Sequence, residues 1–174
     1  MRGTLLYFGL TLCATLACAL TWAHWPHRQL DHGIVADSVV VLKSERRLLL
    51  YRGDTAIGDY PVSLGFSPVG QKSAEGDGKT PEGRYNIDYH NPQSTHFYSL
   101  SISYPNKLQR QESQRLGLNP GGQIMIHGLH RKMWFIGRLH RFRDWTLGCI
   151  ALTNDELRDL IRAVPPGTPI HIVP

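Results

Sequence analysis

The chain has 174 residues, the length of one domain with a short extension, which excludes two fused enzymes. Hydrophobic residues make up 41% and charged residues 19%, enough apolar content for a packed core and too much for a disordered chain. The net charge of +5 suits an anionic neighbourhood such as a cell wall or a membrane surface. No basic stripe interleaved with aromatics marks a nucleic-acid binder.

Residues Gly3 to Ala23 hold no charged side chain and follow the positive start Met1-Arg2. A positive start, an apolar run and the ending Thr21-Trp22-Ala23 fit a secretory signal. The run also has the length that spans a bilayer, about twenty residues. Residues 1–23 therefore read as a cleaved signal peptide or an uncleaved membrane anchor, with a buried helix as the plain alternative. Either of the first two exports the rest of the chain. Any membrane contact would come only through an uncleaved N-terminal segment. Cys13 and Cys18 leave with this segment, and neither sits in a lipoprotein-type signal. Cys149 is then a lone cysteine in an exported domain. It is either a buried bystander or a thiol kept for its chemistry.

Residues 24–36 carry His24, His27 and His32 and read as a linker. Strands follow at Ser38–Leu42, Leu48–Tyr51, Asp59–Leu64, Arg84–Tyr89, Tyr98–Ser103, Gln123–His127 and Pro169–Val173. Gly and Pro, 17 and 11 in number with no repeating period, punctuate them. Many short strands with turns between them indicate a sandwich or barrel. The glycine-rich stretch from Gly65 to Gly83 lacks Walker spacing and a following helix, so it reads as a long surface loop. Two helices interrupt the strands. Lys107 to Leu116 is helix-prone and stops at Gly117. Thr153-Asn154-Asp155-Glu156 is a capping box, and Leu157, Leu160, Ile161 and Val164 form one apolar stripe behind it.

Chemistry concentrates in two places. Ile126-His127-Gly128 puts a histidine at a strand end, and Gly148-Cys149-Ile150 lies just before the capped helix. A thiol attacks as the thiolate, which a neighbouring imidazole generates. A tight turn at Gly148 lets backbone amides near Cys149 converge on one point, as an oxyanion hole requires.

These motifs resemble the L,D-transpeptidase catalytic domain family of the YkuD type, which acts on bacterial peptidoglycan. His127-Gly128 and Thr146-Leu147-Gly148-Cys149 match the family pattern of His-Gly at a strand end followed by Ser or Thr, any residue, Gly and Cys. Lys79-Thr80-Pro81-Glu82-Gly83-Arg84-Tyr85 is similar to its upstream stretch, with one extra residue before the aromatic. The resemblance covers residues 37–174 and implies a mostly β fold with a few short helices, a sandwich-like catalytic domain. It implies Cys149 as nucleophile and His127 as general base and acid. The Gly128 carbonyl would orient His127, and the Gly148 backbone would form part of the oxyanion hole. It implies peptidoglycan stem peptides as partners, a periplasmic or cell-envelope location, and no metal or other cofactor.

Two departures stand out. Many members carry Arg two residues after the cysteine, where this chain has Ala151. The segment between His127 and Cys149 is also longer than in many members. It is rich in basic and aromatic residues and reads as a lid, with Arg138, Arg141 or Arg143 binding stem-peptide carboxylates. Lys79, Tyr104 and Asn106 are further candidates for lining the cleft. Gly-Cys-Ile-Ala with such an insert is similar to a Gram-negative subgroup whose chemistry extends to hydrolysis, including release of a wall-linked lipoprotein. Transpeptidation, cross-linking or lipoprotein attachment and hydrolysis all share one acyl-thioester. A zinc hydrolase using His127, His130, His140 and Cys149 is disfavoured, because four protein ligands close the site to a catalytic water. A non-catalytic wall-binding module is the alternative outside enzymology. His90, His96 and His171 read as structural or surface residues.

Overall fold

The computed structural model describes residues 2–174, with side chains from Thr11 onward. Eight strands form one mixed sheet in the order β3-β2-β1-β8-β4-β5-β6-β7. They are β1 Ser38–Leu42, β2 Arg47–Arg52, β3 Thr55–Pro61, β4 Gly83–Asn91, β5 Ser99–Ile102, β6 Met125–His127, β7 Ile150–Ala151 and β8 Pro169–Val173. Three α-helices, α1 Arg2–Ala23, α2 Lys107–Arg115 and α3 Asn154–Ala163, and a 3-10 segment Trp134–Phe142 complete the chain. The mostly β expectation with a few short helices holds. Strand β4 pairs with β8 through Gly83–Asn86 and with β5 through Ile87–Asn91, and an irregularity between Ile87 and His90 bends the sheet there.

The sheet also closes on itself. The expected strand Asp59–Leu64 ends early, at Pro61, opposite Arg47. The chain then crosses to the far edge of the sheet, where Ser63 bridges Ala151 and Gly65 bridges Thr146. Residues after β3 therefore pin the cysteine segment. The interior is filled by Val39, Val41, Leu48, Leu50, Leu64, Ile87, Leu100, Ile126 and Ile150, with Leu157, Leu160 and Ala163 of α3 in the same cluster.

Both C-terminal helices have complete capping boxes. Thr153 and Glu156 start α3 as expected. Asn106 and Gln109 start α2, whose box the sequence reading did not single out. Residues 24–36 are irregular but not a free linker. The His27 ring nitrogen and the Leu30 amide both reach the buried Asp159 carboxylate of α3, at 2.9 and 3.2 Å. The Ala36 amide donates to Ala163 O. Among the described residues no helix is long and apolar enough to cross a membrane. Part of the apolar run read as signal or anchor lies outside the described side chains.

Candidate active site

His127 ends β6 and is buried. Its Nδ1–H donates to the carbonyl of the next residue, Gly128, at 2.7 Å. This bond leaves Nε2 as the proton acceptor. Burial pushes the His127 imidazole down to about 4, a nearby His96 adds to the shift, and the Gly128 carbonyl partly offsets it. A Cβ on Gly128 would lie 2.5 Å from Asn154 Oδ1 and 3.2 Å from the His96 carbonyl, so only glycine fits. Asn154 Oδ1 in turn accepts from the Leu129 amide at 2.8 Å. The start of α3 thereby fixes the turn that carries the histidine's carbonyl partner.

Cys149 immediately precedes β7, which runs parallel to β6 with Ile126 opposite Ile150 and His127 opposite Ala151. Adjacent parallel strands thus carry the histidine and the cysteine, with Cys149 one position before the Ile126–Ile150 pair and His127 one position after it. The Cys149 thiol donates to Gln123 O at 3.6 Å. Burial pushes the thiol up, against smaller opposing effects of the Met125 amide and the Lys72 charge. Both partners are therefore neutral near pH 7: a thiol and an imidazole base, not a preformed ion pair.

The turn before Cys149 is held by Thr146. Its Oγ1 accepts from the Gly148 amide at 3.1 Å and donates to Cys149 O at 2.7 Å. The Gly148 amide is thus engaged by the Thr146 hydroxyl. Gly148 has φ 132°, and a Cβ there would lie 2.6 Å from Lys79 O. Gly65, Gly78 and Gly148 pack backbone on backbone, since a Cβ on Gly65 would lie 2.1 Å from Gly78 O and 3.1 Å from the Gly148 Cα.

The stretch from Gly65 to Gly83 is the expected surface loop, and its buried glycines Gly65 and Gly78 wall the cysteine turn. Asp77 organises it. Its carboxylate accepts from Lys72 Nζ at 2.7 Å and from the amides of Ser73, Ala74 and Lys79. Burial works against the charge, yet Lys72 and these amides outweigh it and hold Asp77 down to about 2.

Residues 36–172 match the YkuD family, described as the L,D-transpeptidase catalytic domain. The chain belongs to that family. YafK of Escherichia coli K12, a provisionally assigned L,D-transpeptidase, is 26% identical over 132 residues, 72% of this chain and 46% of that protein. The crystal structure of the helical cell shape determining protein Pgp2 from Campylobacter jejuni aligns with TM-score 0.60 at 25% identity, over 90% of this chain and 54% of that one. Bd1075 of Bdellovibrio bacteriovorus shares the fold, with TM-score 0.55 at 23% identity over 83% of this chain and 51% of that one. The chain spans about half the length of these relatives.

The other residues expected in the site of this L,D-transpeptidase domain scatter. Lys79 lies in the glycine-packed wall, its carbonyl against Gly148. Tyr104 is buried in the core and its hydroxyl donates to Pro120 O at 3.0 Å. Asn106 caps α2 through its side chain. Both are committed to structure and not to a cleft. Arg141 is ion-paired with buried Glu156 at the start of α3, so its guanidinium is already neutralised. Arg138 lines a depression with His24, Trp134 and Arg158, and Arg143 lines a separate apolar one beside Trp145. The insert that holds them folds as the 3-10 segment, kinked at Gly137.

Three neighbours of the pair had no site role expected of them: His96 was expected to be structural or surface, Trp145 belonged only to the insert, and Gln123 only to a strand. The His96 ring is tilted by 50° against His127 with centroids 4.6 Å apart, and the Trp145 ring lies 5.8 Å from His127. Gln123 supplies the thiol's hydrogen-bond acceptor. No sequence signal placed His96; the pairing of β5 with β6, which sets Ser99 opposite His127, brings its segment there. For Gln123 the adjacent Gly121-Gly122 was a cue to unusual backbone, which appears as φ 55° at Gln123 itself.

Proposed function

We propose that this chain is a peptidoglycan-modifying cysteine acyl-transfer enzyme. The observation that supports it best is His127, neutral, buried and oriented by the Gly128 carbonyl at 2.7 Å, on the strand next to the one Cys149 opens. As the thiol attacks a stem-peptide carbonyl, its proton passes to His127 Nε2. The developing oxyanion is met by the Cys149 amide. The bond to the leaving amine breaks, and that amine takes the proton from His127. A thioester on Cys149 remains. An acceptor amine attacks it to form a new amide, or water to form an acid; His127 takes a proton from either, the carbon–sulfur bond breaks, and the departing thiolate takes that proton back. The first course is L,D-transpeptidation, cross-linking or lipoprotein attachment. The second is hydrolysis, including release of a wall-linked lipoprotein.

Peptidoglycan in the periplasm is the proposed setting, reached through residues 1–23 as export signal or anchor. Arg143 and Arg138 are the proposed carboxylate-binding residues of the insert, since Arg141 is paired with Glu156. The test is to incubate the full chain and its Cys149→Ala variant with defined muropeptides and with peptidoglycan carrying a linked lipoprotein peptide. Mass spectrometry then reads the products. New cross-links or amino-acid exchange lost in the variant support the transferase. Release of the peptide without exchange supports the hydrolase. No Cys149-dependent product with any substrate rejects the enzymatic reading and favours a wall-binding module.

A further inference from the structure

We propose that the insert between His127 and Cys149 docks on an anionic lipid bilayer, as a collar around the end of α1. The helix supplies the first observation. From Thr11 to Trp22 every residue is exposed except half-buried Ala19, so the domain does not cover this apolar helix. Its polar side chains are turned inward: the Thr15 hydroxyl donates to Leu12 O at 2.9 Å, and that of Thr21 to Ala17 O. A helix that satisfies its own hydroxyls and is apolar all round suits lipid better than water.

The helix ends on the insert. The Trp22 ring stacks on Phe142 with centroids 6.1 Å apart, and His24 Nε2 lies 2.7 Å from Phe135 O. The two backbones touch at Gly137, where a Cβ would lie 2.3 Å from Ala23 O. The apolar surface of α1 thus continues onto the insert, where Met133, Trp134, Phe135 and Phe142 are 46, 61, 52 and 79% exposed. Large side chains exposed together mark an interaction surface. Charge selects the occupant. From Leu129 to Arg143 the chain carries five Lys or Arg side chains and no Asp or Glu. Arg131 and Lys132, exposed beside Met133-Trp134-Phe135, have no ion-pair partner among the described residues. Aromatic rings and free cations at the end of an apolar helix suit the membrane–water interface, where the rings sit among headgroups and the cations meet lipid phosphates. A second copy paired insert to insert would set this charge against itself.

Membrane contact was expected only through the N-terminal segment, and the insert adds a second point of contact. Docking asks that the end of α1 and the insert enter the interface, not that α1 cross. It also fixes where the candidate catalytic pair stands. Trp145 follows the insert's 3-10 segment and meets the His127 ring edge-on at 5.8 Å. A docked insert therefore holds His127 and Cys149 close to the bilayer surface. The docking does not depend on the acyl-transfer reading.

The test uses the full chain with Cys13→Ser, Cys18→Ser and Cys149→Ala, so that one nitroxide label is carried by Phe135→Cys or, as control, by Asp54→Cys in the turn between β2 and β3. Met133→Cys repeats the reading should a label at Phe135 disturb the fold. The protein is reconstituted in vesicles of phosphatidylethanolamine with phosphatidylglycerol, or of phosphatidylcholine alone. Electron paramagnetic resonance then compares collisions with oxygen, which concentrates in lipid, and with a nickel chelate, which stays in water. In the anionic vesicles the Phe135 label is expected to meet oxygen and the Asp54 label the chelate. Arg131→Gln with Lys132→Gln is expected to lower the ratio of lipid-facing to water-facing Phe135 label by about five-fold for each charge removed. Phosphatidylcholine is expected to lower it likewise. A Phe135 label as open to the chelate as the Asp54 label overturns the docking. Shielding equal in both vesicle types and with both charges removed overturns the anionic lipid as the occupant. Shielding with spin–spin broadening that unlabelled chain dilutes away assigns the surface to a second copy and overturns the proposal. A docked insert in a chain that turns over no muropeptide rejects only the acyl-transfer reading. Turnover by the unsubstituted chain with an undocked insert rejects only the docking.

Discussion

The Cys149 thiol donates to the carbonyl of Gln123 at 3.6 Å, and Gln123 holds that carbonyl in place with φ 55°. A non-glycine residue in the left-handed region costs about 1–2 kcal/mol. Here the strain aims a carbonyl at the nucleophile. The negative end of that dipole favours the thiol over the thiolate. Gln123→Gly tolerates the same φ and is expected to change stability by less than about 1 kcal/mol. Gln123→Val, β-branched, is expected to lose about 1–2 kcal/mol in urea unfolding and to alkylate faster at Cys149 as the carbonyl moves. Equal alkylation rates in all three proteins would show that the Gln123 carbonyl does not restrain the thiol.

Burial raises the Cys149 thiol and lowers His127 to about 4, so the resting pair is uncharged between those limits. Alkylation of Cys149 by iodoacetamide, read peptide by peptide because Cys13 and Cys18 are exposed, is expected to climb steadily from pH 6 to pH 9. A preformed thiolate–imidazolium pair would instead give a plateau across that range. His127→Ala is expected to leave alkylation within a few-fold while lowering turnover by about 10²–10⁴-fold, the usual loss of a general base.

The same burial makes stability depend on pH. His127 and His140 are lowered from 6.5 to about 4 and about 3, so below pH 6.5 the unfolded chain binds protons that the native chain refuses. Their contribution is fully present above pH 6.5 and is lost as pH falls towards those native values. Between pH 6.5 and pH 5 each is expected to remove about 2 kcal/mol, at 1.36 kcal/mol per unit. His96, also lowered by burial, acts in the same direction. Urea midpoints at pH 7.5 and pH 5 test this. His127→Asn and His140→Gln should each flatten the difference, and an unchanged slope in both would refute the assignment.

The sequence carried the regular elements well, for physical reasons. The apolar run Ser38–Leu42 is central in the sheet and keeps its predicted bounds. The Thr153 box starts α3 where its side chains said it would. The His127-Gly128 and Gly148-Cys149 motifs stood out because each is contiguous in the chain. What was not legible depends on contacts between distant segments. The exit from β3 looked like more strand because Val62 and Leu64 are apolar, but they bury where the chain crosses to the β7 edge. The packing side of the Gly65–Gly83 loop was hidden because its order comes from one carboxylate and from glycines packed against Gly148. His96 and His140 gained their importance only when the sheet and the insert brought rings together.

Asp77 gives that wall a single point of failure. Removing its charge in Asp77→Asn leaves buried Lys72 without its ion-pair partner at 2.7 Å. A buried charge losing its partner is expected to cost several kcal/mol locally. The expected outcome is new proteolytic cleavage between residues 70 and 80 with the rest of the domain intact. Turnover should fall because Lys79 O no longer braces Gly148. Unchanged protease resistance would show that the glycine packing alone holds the wall.

Thr146 is the sharpest test of the cysteine turn, because one hydroxyl serves two backbone groups on either side of the nucleophile. It takes the Gly148 N–H and gives its own proton to Cys149 O. Thr146→Val keeps the shape and removes both bonds. Each orphaned backbone group costs about 1–3 kcal/mol where water cannot reach it. The Gly148 amide, released from the hydroxyl, is also free to turn towards the oxyanion position. Thr146→Val is thus expected to lower the unfolding midpoint and to lower turnover through a misplaced Cys149 amide. Thr146→Ser, which keeps the hydroxyl, should retain most of both. If the valine variant were destabilised yet turned over faster, the Gly148 amide would be the better oxyanion donor, and Thr146 would be restraining catalysis rather than supporting it.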